Sequence, residues 1–213
     1  MKYFSRVVMD RTDRATTGRP ADRILERAIE VIEAGGEVAI RTNVIAEECG
    51  VTAPILYRAF GNREGLVVAA QAERYRRASE VAVAYLVERV TSAGSRAELR
   101  DNIIEALDFI TSPERSRNRR MRAEVIGSAV SRPALAGHVR EIDMMHSATV
   151  AAAYAPAVAN GWISADLNLE AVVLWVQGII NGRTQIEFGA AGTVATEWDR
   201  LTKTAVLAAL FDD

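Results

Sequence analysis

The sequence is poor in the residues that most often build stapled or metal-centred proteins: one cysteine and two histidines in 213 residues. With Cys49 alone, no intrachain disulfide and no multi-cysteine zinc site can form, as suits a reducing compartment. Lys2 and Lys203 are the only lysines, so positive charge rests on arginine, and the formal net charge is -2. That balance excludes a protein that holds nucleic acid by bulk positive charge, and any DNA binding must come from local geometry. No uncharged stretch suits a bilayer: the run from Ser147 to Ala165 is interrupted by Pro156, Asn160 and Gly161. Residues 1–20 carry scattered arginines and aspartates and no apolar core of signal-peptide length, so the expected location is cytoplasmic, with no membrane partner. Glycine-rich phosphate loops, H-E-x-x-H and G-x-S-x-G are missing. His138, Asp143 and His146 fall on one predicted helix, and Asp143 with His146 is an i, i+3 pair that could share a metal, but the sequence places no third strong ligand or nucleophile beside the pair. The expectation is therefore no enzyme, no catalytic residue, no metal and no cofactor.

Strand-like alternation is scarce, whereas apolar residues recur at spacings of three and four, which points to an all-α protein. After an N-terminal arm over 1–20, a first helix is predicted from Ala21 to Ala34, with Ile24, Leu25, Ala28, Ile29 and Ile32 in its stripe and Gly35-Gly36 at its end. Two short helices follow, over 42–49 and 52–58, separated by Gly50. Longer helices are predicted over 63–90, 96–110, 115–130, 133–160, 168–189 and 194–211. Ser95 with Glu98 matches a capping box, and Pro113, Pro133 and Gly161 punctuate the series.

The informative segment is Ile40 to Leu66, IRTNVIAEECGVTAPILYRAFGNREGL. Thr42 and Thr52 stand where N-caps belong, Ile45, Ala46 and Cys49 form the buried side of the first short helix, and Gly50 permits a left-handed turn. Ile55, Leu56 and Phe60 anchor the second. Two short helices crossing at a tight glycine turn, the second exposed on its outer face, is a helix-turn-helix.

This segment resembles the DNA-binding signature of TetR-family repressors. The residues that carry the resemblance are Thr42 with Ile45-Ala46, the turn Gly50-Val51, the run Leu56, Tyr57 and Phe60, and the basic Arg63, over about twenty-five positions. Cys49 departs from the alanine common there. The resemblance implies an N-terminal three-helix DNA-binding domain over 21–65 and a larger helical ligand-binding and dimerisation domain over 66–213. It also implies a dimeric repressor released from a palindromic operator by a small molecule. Tyr57, Arg63 and Thr42 suit phosphate oxygens, and Arg58 lies beside them. Thr52, Ala53, Pro54 and Ile55, with Asn43, would face base edges, largely through apolar contacts to thymine methyl groups. The arm, with Lys2, Arg6, Arg11, Arg14 and Arg19, is either a minor-groove contact or an inert tail.

Expected partners are thus double-stranded DNA, a second copy of the chain and an unidentified small molecule. For dimerisation the candidates are Val172, Val176, Gly178 and Gly182 on one helix and Trp198, Leu201 and Ala205 on the last. For the ligand, residues that mix size with a polar handle are Tyr85, Phe109, Arg122, Met145, His146, Tyr154, Trp175, Gln177 and Asn181. The cluster Arg115, Arg117, Arg119, Arg120 and Arg122 either attracts an acidic ligand such as an acyl thioester or forms a solvated helix face. A second reading is a helical small-molecule or protein-binding module that does not read DNA, since residues 1–65 hold ten basic and ten acidic side chains.

Overall fold

The computed structural model describes residues 19–189 and 192–211, and among them every regular element is helical. The anticipated arm lies outside the described residues, apart from Arg19 and Pro20. Two compact units divide inside one helix, between Arg74 and Tyr75.

The first unit begins with α1 (Pro20–Gly35), where Pro20 takes the first-turn position that needs no N–H donor. Gly36, at a φ of 72°, closes it by donating to the Ile32 carbonyl at 2.8 Å. A single 3-10 turn, Glu37–Ala39, leads to α2 (Thr42–Glu48), α3 (Ala53–Phe60) and the start of α4 (Arg63–Thr91). Helices of seven and eight residues do not hold in water by themselves. They hold here because Ile45 and Ala46 of α2 and Leu56 of α3 are buried with Ile24, Ala28 and Ile32 of α1 and Leu66, Val67 and Ala70 of α4. Each fully buried aliphatic side chain contributes about 1.5–3 kcal/mol, and truncating Leu56 to alanine would cost about 2–5 kcal/mol.

The turn between α2 and α3 is fixed by backbone bonds. Val51 N–H donates to the Ala46 carbonyl and Gly50 N–H to that of Glu47, both at 2.9 Å, with Gly50 at a φ of 64°. This double bond around a left-handed residue is a Schellman motif, and glycine adopts that φ without the Cβ penalty. At the α3–α4 junction Asn62 Oδ1 accepts from Gly65 N–H at 2.8 Å, which caps α4. A Cβ on Gly65 would lie 2.0 Å from the Phe60 carbonyl oxygen, so only glycine lets α4 start this close to the end of α3.

The second unit comprises the rest of α4, α5 (Arg96–Thr111), α6 (Ser116–Ala129), α7 (Pro133–Ala153), α8 (Ala155–Ala159), α9 (Leu169–Gly189) and α10 (Thr193–Phe211). Ser95 caps α5 through Glu98 N–H at 3.1 Å, while the Glu98 carboxylate accepts from Gly94 N–H at 2.8 Å. The helix predicted over 133–160 is divided: Pro156 has no N–H for the Ala152 carbonyl, so α7 ends at Ala153 and the five-residue α8 follows. The helix predicted from 115 opens with a 3-10 turn, Pro113–Arg115. Leu99, Ile103 and Leu107 of α5 pack with Val150 and Tyr154 and with Val206, Leu210 and Phe211 of α10. Helix α9 packs on α6, α7 and α10.

Candidate DNA-reading helix and ligand cavity

In the first unit α3 buries Leu56 and leaves Thr52, Pro54, Ile55, Tyr57 and Arg58 exposed, with Ala53 half-buried. Asn43 and Thr42 flank them from α2, one exposed and the other half-buried. The Thr42 and Tyr57 hydroxyls lie 3.2 Å apart, so the start of α2 and the middle of α3 present a joined pair of polar groups. Neither threonine caps as expected. Thr52 takes the N-cap position with extended backbone but its side chain makes no capping bond, and Thr42 is already inside α2, after Arg41. Arg63, expected at a phosphate, has Nε on the Ile40 carbonyl at 3.0 Å and Nη2 on that of Glu37 at 2.5 Å. It therefore ties the start of α4 to the 3-10 turn. Cys49 is half-buried, its thiol pushed up by burial and 3.5 Å from the Arg23 carbonyl, as a packing residue and not a reactive thiolate.

In the second unit a cavity of about 120 Å³ lies among α4, α5, α6, α7, α9 and α10. Most of its wall is aliphatic: Val83 and Leu86 of α4, Ile103 and Leu107 of α5, Val172, Val173, Val176 and Ile180 of α9 and Val206 and Leu210 of α10. Its polar part comes largely from Arg115, Asn118, Arg119 and Arg122, which a helix turns to one side, together with Ser79, His146 and Gln177.

These polar groups form a connected network. Arg122, 8% exposed, donates through Nη2 to the Tyr75 hydroxyl at 2.9 Å and through Nη1 to Ser79 Oγ, with Nε 3.4 Å from Asn181 Oδ1. Its guanidinium also lies 4.6 Å from the Tyr75 ring centre. Tyr75 donates onward to Asp143 at 2.8 Å, and Gln177 Nε2 donates to the same carboxylate oxygen at 2.8 Å. Burial holds the Tyr75 hydroxyl well above its ordinary range, so it stays protonated. Arg119, 4% exposed, is saturated by Glu187 and by the carbonyls of Ile110 and Ser112. His146 is 6% exposed, and its Nδ1 meets no hydrogen-bond partner among the described residues. Burial and then the nearby Arg122 push its pKa down, favouring the neutral ring.

Residues 24–70 match the model of the family described as bacterial regulatory proteins, tetR family. The match spans α1 to the start of α4, the helix-turn-helix segment of the chain. Among solved structures, the chain is similar to a Rhodococcus sp. protein assigned to the same family, with 24% identity, a TM-score of 0.63, and coverage of 90% of this chain and 98% of the other. It is also similar to the multidrug binding protein EbrR complexed with proflavin (17%, TM-score 0.59, 88% and 99% covered). A further likeness is to FadR from Bacillus subtilis in complex with stearoyl-CoA (15%, TM-score 0.54, 89% and 98% covered). At these identities the likeness is one of fold. None of the curated proteins compared with the chain matches it.

Four of the anticipated ligand residues line the cavity: Arg122, His146, Tyr154 and Gln177. Asn181 joins them through Arg122. The others lie elsewhere. Tyr85 and Phe109 stack on each other with centroids 4.3 Å apart, under the guanidiniums of Arg89 and Arg115, and are outside the cavity wall. Met145 is half exposed, and Trp175 lies on the outer side of α9 with Leu174 and Phe188.

The anticipated dimer residues divide as well. Val172 and Val176 line the cavity, and a Cβ on Gly182 would meet the Trp198 ring of the same chain at 3.4 Å. Gly178, Leu201 and Ala205 are exposed. The arginine cluster splits by helical position, with Arg117 and Arg120 exposed and Arg119 and Arg122 buried. Of that cluster Arg115 and Arg119 line the cavity with Arg122, while Asn118, also in the wall, was not singled out from sequence, although the spacing of three, four and seven from 115 to 122 marks one helix face. Among the described residues no group of three metal-ligating side chains is gathered, and no helix is long and apolar enough to cross a membrane.

Proposed function

We propose that the protein is a dimeric transcriptional repressor that reads a palindromic operator with α3 and is released from it by a small molecule held in the cavity of its second unit. The observation that carries this reading is the α2–Gly50–α3 arrangement, in a segment matching the tetR family, with the outer side of α3 exposed. An α-helix fits the major groove, where the four base pairs differ. Ala53, Pro54 and Ile55 offer apolar surface to thymine methyl groups, while Thr42, Asn43, Thr52, Tyr57 and Arg58 offer polar contacts to backbone and base edges.

Dimerisation is supported by the outward residues Leu174, Trp175 and Phe188 of α9 and Val194 and Leu201 of α10, large apolar side chains left exposed on one chain. Gly178, open on the same helix, would admit a close partner helix. A two-fold dimer presents two copies of α3, which suit half-sites about one DNA turn (~34 Å) apart or a multiple of it. The cavity supports the effector role: it is mostly aliphatic and supplied with a few convergent polar groups. A ligand that binds better to protein off DNA lowers operator affinity by its differential affinity for the two states.

Selection of bound duplexes from a randomised pool with the full chain tests the reading. Enrichment of an inverted repeat with half-site centres about 10 base pairs or a multiple apart is expected. No enriched sequence would contradict it.

A further inference from the structure

We infer that the cavity takes a small organic anion, a carboxylate with a short hydrocarbon or aromatic body, its head on the guanidiniums of Arg122 and Arg115. The inference rests on the reading of this cavity as the effector site.

The argument begins with charge. Among the described residues no carboxylate lines the cavity, whereas three guanidiniums do. Arg119 is matched by Glu187, but the other two are held by neutral groups: Arg122 by Ser79, the Tyr75 hydroxyl and Asn181, and Arg115 by the Ala78 carbonyl and the face of Phe109. Around the network, among the described residues, the guanidiniums of Arg115, Arg119, Arg120, Arg122 and Arg183 face three carboxylates, Glu187, Asp199 and Asp143. Arg76 and Glu80, also near His146, pair with each other. Asp143 reaches Arg122 only through the Tyr75 hydroxyl and does not line the cavity. Even with the exposed Arg120 screened by solvent, positive charge is in excess around the buried Arg122 and half-buried Arg115, and burying an unmatched charge is costly. An anion entering the cavity supplies the missing partner.

A second observation is independent of charge. His146 is more than nine-tenths buried, lines the cavity, and has a ring nitrogen, Nδ1, without a partner among the described residues. In the tautomer with hydrogen on Nδ1 it donates to a carboxylate. The rest of the wall excludes other classes. An amine would face the guanidiniums, and inorganic phosphate would leave the aliphatic surfaces of α5, α9 and α10 unfilled. A volume of about 120 Å³ is of the order that takes up one aromatic ring or a short chain.

The test is calorimetric titration of the full chain with hexanoate, octanoate and benzoate against hexanol, octanol, benzyl alcohol and hexylamine. Each carboxylate is expected to bind about tenfold or more tighter than its alcohol, because a charge-assisted bond replaces a neutral one, and hexylamine not at all. In Arg122→Met the preference should fall below about threefold while octanol binding persists, which shows that the cavity survives; Arg122→Lys should retain most of it. Should Arg122→Met lose octanol binding as well, Arg115→Met is read in its place. Alcohols binding as tightly as carboxylates, no binding by any carboxylate up to millimolar, or a preference that survives both Arg122→Met and Arg115→Met would overturn the inference. The same titrations against the protein on its selected duplex separate the two readings. Carboxylate binding without change in DNA affinity removes the effector role and leaves the anion site, whereas release by octanol and not octanoate removes the anion and leaves the effector role.

Discussion

The hydroxyls of Thr42 and Tyr57 lie 3.2 Å apart, bridging the start of α2 and the middle of α3, which the chain itself connects through Gly50. A shared hydrogen bond orients both groups, and in the proposed function each holds the other for a DNA backbone. Thr42→Val and Tyr57→Phe should each weaken DNA binding by about 3–10-fold, the worth of one hydrogen bond. The double variant should lose less than the product of the two, because the first change already removes the shared bond. Anisotropy on the selected duplex measures this coupling, and fully multiplicative losses would show that the hydroxyls act separately.

Arg58 and Arg63 separate by role. Arg58 is exposed near the end of α3, whereas Arg63 ties α4 to the carbonyls of Glu37 and Ile40. Arg58→Ala should reduce the slope of log affinity against log salt by about 0.9, one phosphate contact. Arg63→Ala should leave that slope unchanged and destabilise the fold by about 1–3 kcal/mol. A reversed pattern in salt titrations and thermal melts would return Arg63 to the phosphate role expected from sequence.

Association is predicted to depend on the outer sides of α9 and α10. Leu174→Arg with Leu201→Arg places two charges on each protomer in a surface that dimerisation would desolvate, so dimer affinity should fall about 100-fold or more. Sedimentation equilibrium at micromolar protein checks this. Val172→Ala, in the cavity wall, should leave the dimer intact.

His146 sets a pH dependence. Its folded pKa is below the ordinary 6.5, so below pH 6.5 the unfolded chain binds the proton more readily and stability falls with it. Above 6.5 both states carry the neutral ring and the contribution is complete. Thermal melts of wild type should lose stability relative to His146→Gln as pH drops from 6.5 toward the folded value. Parallel curves for the two proteins would place the titration elsewhere.

The DNA-reading half was legible in the sequence because its signals are local. Gly50, the stripe of α1 and the run Leu56 to Phe60 each fix a turn or a buried side within a few residues. Pro156 was visible too, but its effect on α7 depends on a missing donor to Ala152. The second unit was harder because α9 is apolar on both its inner and its outer side. Val172 and Val176 and, a residue or two away, Leu174 and Trp175 are equally hydrophobic, and periodicity does not tell which pair faces the cavity and which faces outward. Likewise Arg117 and Arg119 differ only in helical phase, and it is the packing of α6 on α9 that buries one and exposes the other.

The most direct test of the central claim is fluorescence anisotropy of the full chain against its selected duplex and a scrambled duplex of equal composition, at one fixed near-physiological salt concentration. Sequence-specific readout by α3 predicts an affinity ratio of about 1,000 or more in favour of the selected duplex, with two protomers per site. Equal affinities for the two duplexes would contradict it.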